Sequence, residues 1–180
     1  MLAAGRGRRF GAEPAKLRVP FRGRPLACWA LEAAVTAGIG PVAVVVGQVE
    51  LSDVVPSGVV VLANPDADAG LATSLAVALD WAAGAGLAAV VVGLGDQPLV
   101  PASAWRAVAA ATRTPVVAAT YDGVRGHPVR LSRDVWGLLP RSGDEGARRL
   151  LRERPELVML VPCEGHPADI DTPEDLDRWS

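Results

Sequence analysis

The chain has 180 residues, half of them apolar, and a net charge of −2. That is enough to bury a core in one domain, 1–180, and too close to neutral for a general nucleic-acid binder. No apolar run reaches the roughly 18–20 residues of a membrane span, and the N-terminus lacks the apolar segment of a signal peptide, so a cytoplasmic protein without membrane contact is expected.

Met1 to Ala4 reads as the end of a first strand that is truncated, because a buried parallel strand usually has about five or six apolar residues. The loop Gly5-Arg6-Gly7-Arg8-Arg9-Phe10-Gly11 follows and closes on Lys16. Glycines let a backbone approach a ligand, successive N–H groups make an anion-binding concavity, and arginine and lysine add positive charge. The composition suits a loop around a polyphosphate. It also suits a basic surface loop.

Arg24 to Ala37 is helical, with Leu26, Trp29, Ala33 and Ala37 on one face, and Gly38 stops it. Val42 to Val46, all valine but for Ala43, is a strand buried on both faces, Val59 to Leu62 a second strand, and Asn64-Pro65-Asp66 a turn. Leu71 to Ala83 is a helix entered from Gly70, with Thr73 and Ser74 in its first turn. Free N–H groups there suit a polar ligand, and ordinary capping explains the same residues. Leu87 to Val92 is a strand closing on Gly95-Asp96-Gln97-Pro98. Pro101 to Ala111 is a helix and Val116 to Thr120 a strand. Asp122-Gly123 turns into an extended Arg125 to Leu131. Ser132 to Leu139 and Gly143 to Arg152 read as helices, Leu157 to Val161 as a strand, and Thr172-Pro173-Glu174 opens the last helix. Cys28 and Cys163 lie far apart, form no CxxC motif and read as free thiols.

Strands alternating with helices give an α/β, three-layer α/β/α Rossmann-like fold with a mainly parallel sheet. Ligands in such sheets bind at the carboxyl ends of the strands. The Gly/Arg loop, Asp96 and Asp171 all fall there. Two carboxylates suffice for Mg²⁺, which fills its shell with water and phosphate oxygens. Asp96 is the first candidate and Asp171 the second, with Asp169 behind it; a turn-capping role for Asp96 and a helix-capping role for Asp171 stay open. Seven basic residues between Arg6 and Arg24, and six acidic ones from Glu164 onward, fit an anionic substrate handled with a metal cation. They also fit two solvated faces.

A dinucleotide oxidoreductase is the rival reading. The loop is GxGxxxG, one residue longer than the dinucleotide fingerprint. The acidic ribose-binding residue expected about 20 residues on is missing, since Val46 leads into Gly47-Gln48. Pro14 and Pro20 also keep the chain irregular where that fingerprint opens a helix.

LAAGRGRRFG with Lys16 resembles the LAAGxGxRxG…K signature of the nucleotidyltransferases. GDQP at 95–98, RGHPV at 125–129, GDEGARRLL at 143–151 and DIDTPEDL at 169–176 together resemble the molybdenum cofactor cytidylyltransferase branch of the MobA/MocA-like NTP transferases. The resemblance runs in order along nearly the whole chain. It implies transfer of CMP from CTP to the terminal phosphate of molybdopterin, with Mg²⁺ as cofactor and release of pyrophosphate. LAAG, in place of the LAGG typical of guanylyl-transferring relatives, favours CTP over GTP. By this likeness Leu2, Ala3, Ala4, Gly5, Arg6 and Gly7 surround base and ribose, and Thr73 and Ser74 line the nucleotide side. Arg9 and Lys16 hold the triphosphate, Asp96 acts in catalysis and binds Mg²⁺ with Asp171, and His127 lies near the phosphorylated pterin substrate. A molybdoenzyme or its chaperone is the implied recipient. The spacing from Gly11 to Lys16 is longer than the family's, so Arg18 is a second candidate for the lysine's part. Other readings are transfer to another phosphorylated acceptor and a nucleotide or pterin carrier without catalysis.

Overall fold

The structure is a computed structural model and describes residues 1–5, 7, 10 and 15–180. In chain order the strands are β1 (Leu2–Ala3), β2 (Pro20–Phe21), β3 (Arg24–Pro25), β4 (Ala43–Val46), β5 (Val60–Ala63), β6 (Ala89–Val92), β7 (Val116–Tyr121), β8 (Val124–Ser132) and β9 (Val158–Pro162). The helices are α1 (Leu26–Ala37), α2 (Leu71–Gly84), α3 (Ala102–Ala110), α4 (Arg148–Glu153) and α5 (Pro173–Trp179).

The architecture is three-layered. Strands β1, β4 and β5 pair in parallel in the order β1-β4-β5, and a second group runs β6-β8-β7-β9. Leu2 joins the two groups: its N–H donates to the Gly93 carbonyl at 2.9 Å and its carbonyl accepts from Gly95 N–H at 2.9 Å. Successive strand residues point to opposite faces, and the core divides accordingly. Val44, Val117 and Ala119 pack with Leu31, Ala34, Trp105 and Val108 of α1 and α3. Val45, Val116 and Ala118 pack on the other side with Leu75 and Leu79 of α2 and Leu150 and Leu151 of α4.

The expectation of a mainly parallel sheet is corrected: the sheets are mixed, because β8 is antiparallel to both β6 and β7. The cause is local. Asp122 (φ 49°) and Gly123 (φ 81°) are both left-handed, the hairpin turn whose twist matches adjacent antiparallel strands. The chain therefore returns at once beside β7, with no helical crossover.

Three expected helices change as well. Arg24-Pro25 pairs with Pro20-Phe21 as a small ribbon, and α1 begins only at Leu26. Ser132 ends β8, and the segment after it is a 3₁₀ helix, Arg133–Leu138. The helix expected over 143–152 is reduced to α4, because Gly143 (φ 87°) and Gly146 (φ 49°) take left-handed conformations that an α-helix does not admit. The remaining elements fall within two residues of expectation. Cys28 and Cys163 are free thiols. No helix among the described residues is long and apolar enough to cross a membrane.

Candidate functional site

Three chain segments meet at the carboxyl ends of β1 and β6. The first is the loop after β1. It passes Gly5 and Gly7 and returns through a short 3₁₀ turn at Lys16–Arg18. The second is the β6 exit, where Gly95 and Asp96 follow Leu94. The third is the approach to α5. Ile170 there is fully buried with Phe21 and Leu26, and its N–H donates to the Asp96 carbonyl at 3.0 Å. That bond brings Asp171 to Asp96, although 75 residues separate them in sequence.

Asp171 stands just before Thr172, the N-cap of α5, and is held from behind. Asp175 Oδ2 accepts from Asp171 N–H at 3.1 Å and from Thr172 N–H at 2.9 Å, while Thr172 Oγ1 accepts from Asp175 N–H. This is a capping box, with Pro173 in the first turn. These hydrogen bonds, led by the one from the Thr172 hydroxyl, hold the Asp175 carboxyl below its ordinary value.

Lys16 ties the pair together. Its ammonium donates to Asp96 Oδ2 at 2.6 Å and to Asp171 Oδ1 at 2.5 Å, and the side chain is only 7 % exposed. Burial alone pulls its pKa down, but Asp96 and then Asp171 outweigh burial and hold it above the usual lysine value. Arg18 points elsewhere: its guanidinium makes a paired contact with both Asp53 carboxylate oxygens, at 2.7 and 2.6 Å, and reaches the Glu50 carbonyl. Of the two cations considered for the cleft, Lys16 is the one inside it.

These groups line a cleft of about 520 Å³. Leu2, Ala3, Ala4, Gly5 and Gly7 form one wall, Lys16, Asp96 and Asp171 the floor, and Gly70, Leu71 and Ser74 the opposite wall. Arg6 and Arg9 lie outside the described residues. Thr73 turns away from the cleft; its hydroxyl reaches the Gly70 carbonyl at 2.8 Å and the Asp66 carbonyl at 3.1 Å. Ser74 stays in the wall. The N-terminus of α2 is partly engaged already, since Ala72 N–H donates to the Gly143 carbonyl.

Sequence reasoning passed over Asn64. This buried amide donates to Thr73 Oγ1 and Ser74 Oγ, both at 2.9 Å, and accepts from Asp66 N–H. With its oxygen already accepting from Asn64, the Ser74 hydroxyl has its own proton left to offer. The signal was an Asn-Pro turn ten residues ahead of a serine in a helix's first turn.

A second cavity of about 710 Å³ adjoins the first across Leu71 and Leu94. Arg125, His127, Arg148, Gln97 and Asp169 line it. Burial, then the positive charge of Arg148, lowers the His127 pKa to about 4, against an opposing pull from Asp96. His127 is therefore neutral at pH 7. Asp169 is not with the other two aspartates at Lys16: its Oδ1 accepts from Gln97 Nε2 at 2.8 Å, and burial, then the charge of Asp96, raises its pKa. Gln97 Oε1 is buried with no partner among the described residues.

The floor suits a hard dication. Two carboxylate oxygens converge on one point, and a monocation, the Lys16 ammonium, already stands there. No group of three or more His, Cys, Asp or Glu side chains is arranged to hold a metal among the described residues, and Mg²⁺ usually takes only one or two carboxylates.

Residues 1–158 match the model of the MobA-like NTP transferase domain. Among solved structures, the homologue of Mycobacterium tuberculosis rv0371c from Mycobacterium sp. strain JC1 is 31% identical, with a TM-score of 0.86 over 98% of this chain and 91% of that one. Rv0371c from Mycobacterium tuberculosis in complex with manganese is 29% identical, with a TM-score of 0.78 over 99% of this chain and 94% of that one. Among curated proteins, the nicotine blue oxidoreductase of Paenarthrobacter nicotinovorans is 33% identical over 99% of this chain and 93% of its own length.

Proposed function

The chain belongs to the MobA-like NTP transferase family and is a nucleotidyltransferase, and from that premise we propose that it transfers CMP from CTP to the terminal phosphate of molybdopterin. Pyrophosphate is released, and residues 1–180 act as one domain. The observation that carries the reading is the junction of two cavities at one charged floor. A nucleotide-sized cleft ends at Lys16, Asp96 and Asp171, and a cavity with Arg125 and Arg148 in its wall opens beside it.

In this reading Leu2 to Gly7 close over base and ribose, backbone against ligand. Ser74 donates its hydroxyl proton to the nucleotide, and Thr73 holds the turn beside it. Arg9 and Lys16 take the triphosphate. Asp96 and Asp171 hold the cofactor Mg²⁺, which supplies Lewis-acid stabilisation of the charge that builds on the α-phosphoryl group and the leaving pyrophosphate. The manganese complex of the Rv0371c relative supports a divalent cation in this family. Arg125 and Arg148 offer forked donors to the acceptor's phosphate. His127, neutral at pH 7, contacts the pterin substrate without adding charge. The acceptor phosphate attacks the α-phosphorus in line and needs no covalent nucleophile, so the work of the side chains is positioning and charge stabilisation. A molybdoenzyme or its chaperone in the cytoplasm receives the product. GTP as donor, or another phosphorylated acceptor, leaves the same geometry in use.

The relative named an oxidoreductase favours a second reading, in which the cleft takes a dinucleotide. The end of β4 speaks against it. Gly47 follows Val46, and a Cβ there would stand 2.7 Å from the Ala4 carbonyl oxygen. The position where a dinucleotide site carries its ribose-binding acid therefore has no room for a side chain.

Thermal unfolding with CTP, GTP, ATP and NAD, each with and without Mg²⁺, separates these readings. A ligand at about a hundred times its Kd adds about 2.7 kcal/mol. The proposal expects the largest rise with CTP and Mg²⁺. A rise with NAD alone and none with any triphosphate would favour the oxidoreductase.

A further inference from the structure

Lys16 is the single lysine in the chain, and every other permanently charged basic side chain is arginine. This lone ammonium sits between Asp96 Oδ2 and Asp171 Oδ1, at 2.6 and 2.5 Å. Its stem lies against the loop after β1: a Cβ added to Gly7 would come within 2.5 Å of the Lys16 Cβ. The side chain thus belongs to the nucleotide wall and its charge to the carboxylate floor.

Two cations cannot occupy one point between two carboxylates. Displacing Lys16 with a dication alone takes the ammonium of a largely buried side chain away from both carboxylates it bonds, an expensive state. A dication that arrives with a triphosphate brings the counter-charge with it. Lysine can make that exchange, being a compact charge on a flexible stem, whereas arginine would grip the carboxylates through a rigid fork.

We infer that Lys16 determines the form in which the site accepts its metal: it keeps the Asp96–Asp171 pair closed to a free divalent cation and releases it to a cation–nucleotide complex, whose phosphates take the ammonium in exchange. The inference rests on the nucleotidyltransferase reading above. It makes Lys16 the coupling element between metal and nucleotide binding, in addition to its part in holding phosphate.

The test is Mn²⁺ binding to nucleotide-free protein, followed by the electron paramagnetic resonance signal of the unbound ion. Lys16→Met and Lys16→Gln should bind free Mn²⁺ at least about tenfold more tightly than the wild type, and Lys16→Arg no more tightly. Equal affinity in the wild type and both neutral variants overturns the inference. A second readout needs no variant. Free Mn²⁺ at millimolar concentration should leave the labelling rate of the single ε-amine unchanged, as judged by mass spectrometry. Faster labelling with Mn²⁺ alone overturns the inference. Failure of the wild type to bind CTP, GTP or ATP, with or without Mn²⁺, would instead retire the reading of the cleft as a nucleotide site, while the free-metal comparison still decides the role of Lys16.

Discussion

Gly7 and Lys16 are packed against each other, glycine backbone to lysine stem, and no side chain fits between them. Gly7 is left-handed at φ 59°, and a Cβ there would lie 2.5 Å from the Lys16 Cβ. Gly7→Ala therefore meets backbone strain and a collision together, each of order 1–3 kcal/mol. The expected outcome is a lower Tm and a raised KM for the nucleotide. An unchanged Tm would show that the loop does not hold Lys16 in place.

Asp96→Asn keeps the side-chain shape and removes one of the two charges facing Lys16. Turnover should fall by at least about a hundredfold if Asp96 stabilises developing charge. The fold should survive, because Asp171 still faces the ammonium, and circular dichroism together with Tm checks that. A variant with near wild-type turnover removes Asp96 from the mechanism.

Asn64→Ala leaves the Thr73 and Ser74 hydroxyls and Asp66 N–H without their shared partner. Loss of a buried amide with these bonds should cost about 2–3 kcal/mol. KM for the nucleotide should rise more than kcat falls, since Ser74 loses its orientation and the floor is untouched. A purely structural Asn64 would lower Tm and leave KM where it was.

Thr172→Ala dismantles the capping box behind Asp171. A lost N-cap costs about 1 kcal/mol. The same change should weaken Mn²⁺ binding in the presence of CTP, because Asp171 N–H and Thr172 share the Asp175 carboxylate. Unaltered metal affinity would mean that the capping box does not place Asp171.

His127 gives a pH dependence of known sign. Its folded pKa, about 4, lies below the ordinary 6.5. The unfolded chain therefore binds the extra proton first. The stability contributed by neutral His127 is complete above pH 6.5 and is lost as pH falls from 6.5 towards 4. The effect is of order 2 kcal/mol after allowing for partial exposure. His127→Asn should flatten the Tm profile in that window, and an unchanged slope would place the acid sensitivity on another group.

How much of this was legible in the sequence depends on the kind of signal. The apolar, valine-rich runs at 42–46 and 87–92 named their strands, and Thr172-Pro173-Glu174 named the start of α5 through its capping chemistry. The direction of β8 was not read, although Asp122-Gly123 is a hairpin signal, because an alternating βα pattern elsewhere suggested a parallel sheet. The charge order over 143–152 suits a helix, but Gly143 and Gly146 break it by their φ angles. Asp96 was legible as a strand-end carboxylate; Asp171, expected after a short last strand, instead follows an irregular segment between β9 and α5, and the meeting of the two depends on Ile170 N–H and the buried Phe21–Leu26–Ile170 contact. Tertiary contacts of that kind leave no local pattern. A single lysine among so many arginines was visible in the composition, and its meaning emerged only once its ammonium was found between two carboxylates.

The most direct test of the account is the reaction itself: purified protein with CTP, Mg²⁺ and molybdopterin, followed by pyrophosphate release and by mass spectrometry of the pterin product. The account predicts stoichiometric pyrophosphate and a product heavier by one CMP unit, both formed at least about a hundredfold more slowly by Asp96→Asn. Binding of CTP and Mg²⁺ without pyrophosphate or adduct, alongside reduction of nicotine blue by a nicotinamide cofactor, would contradict it.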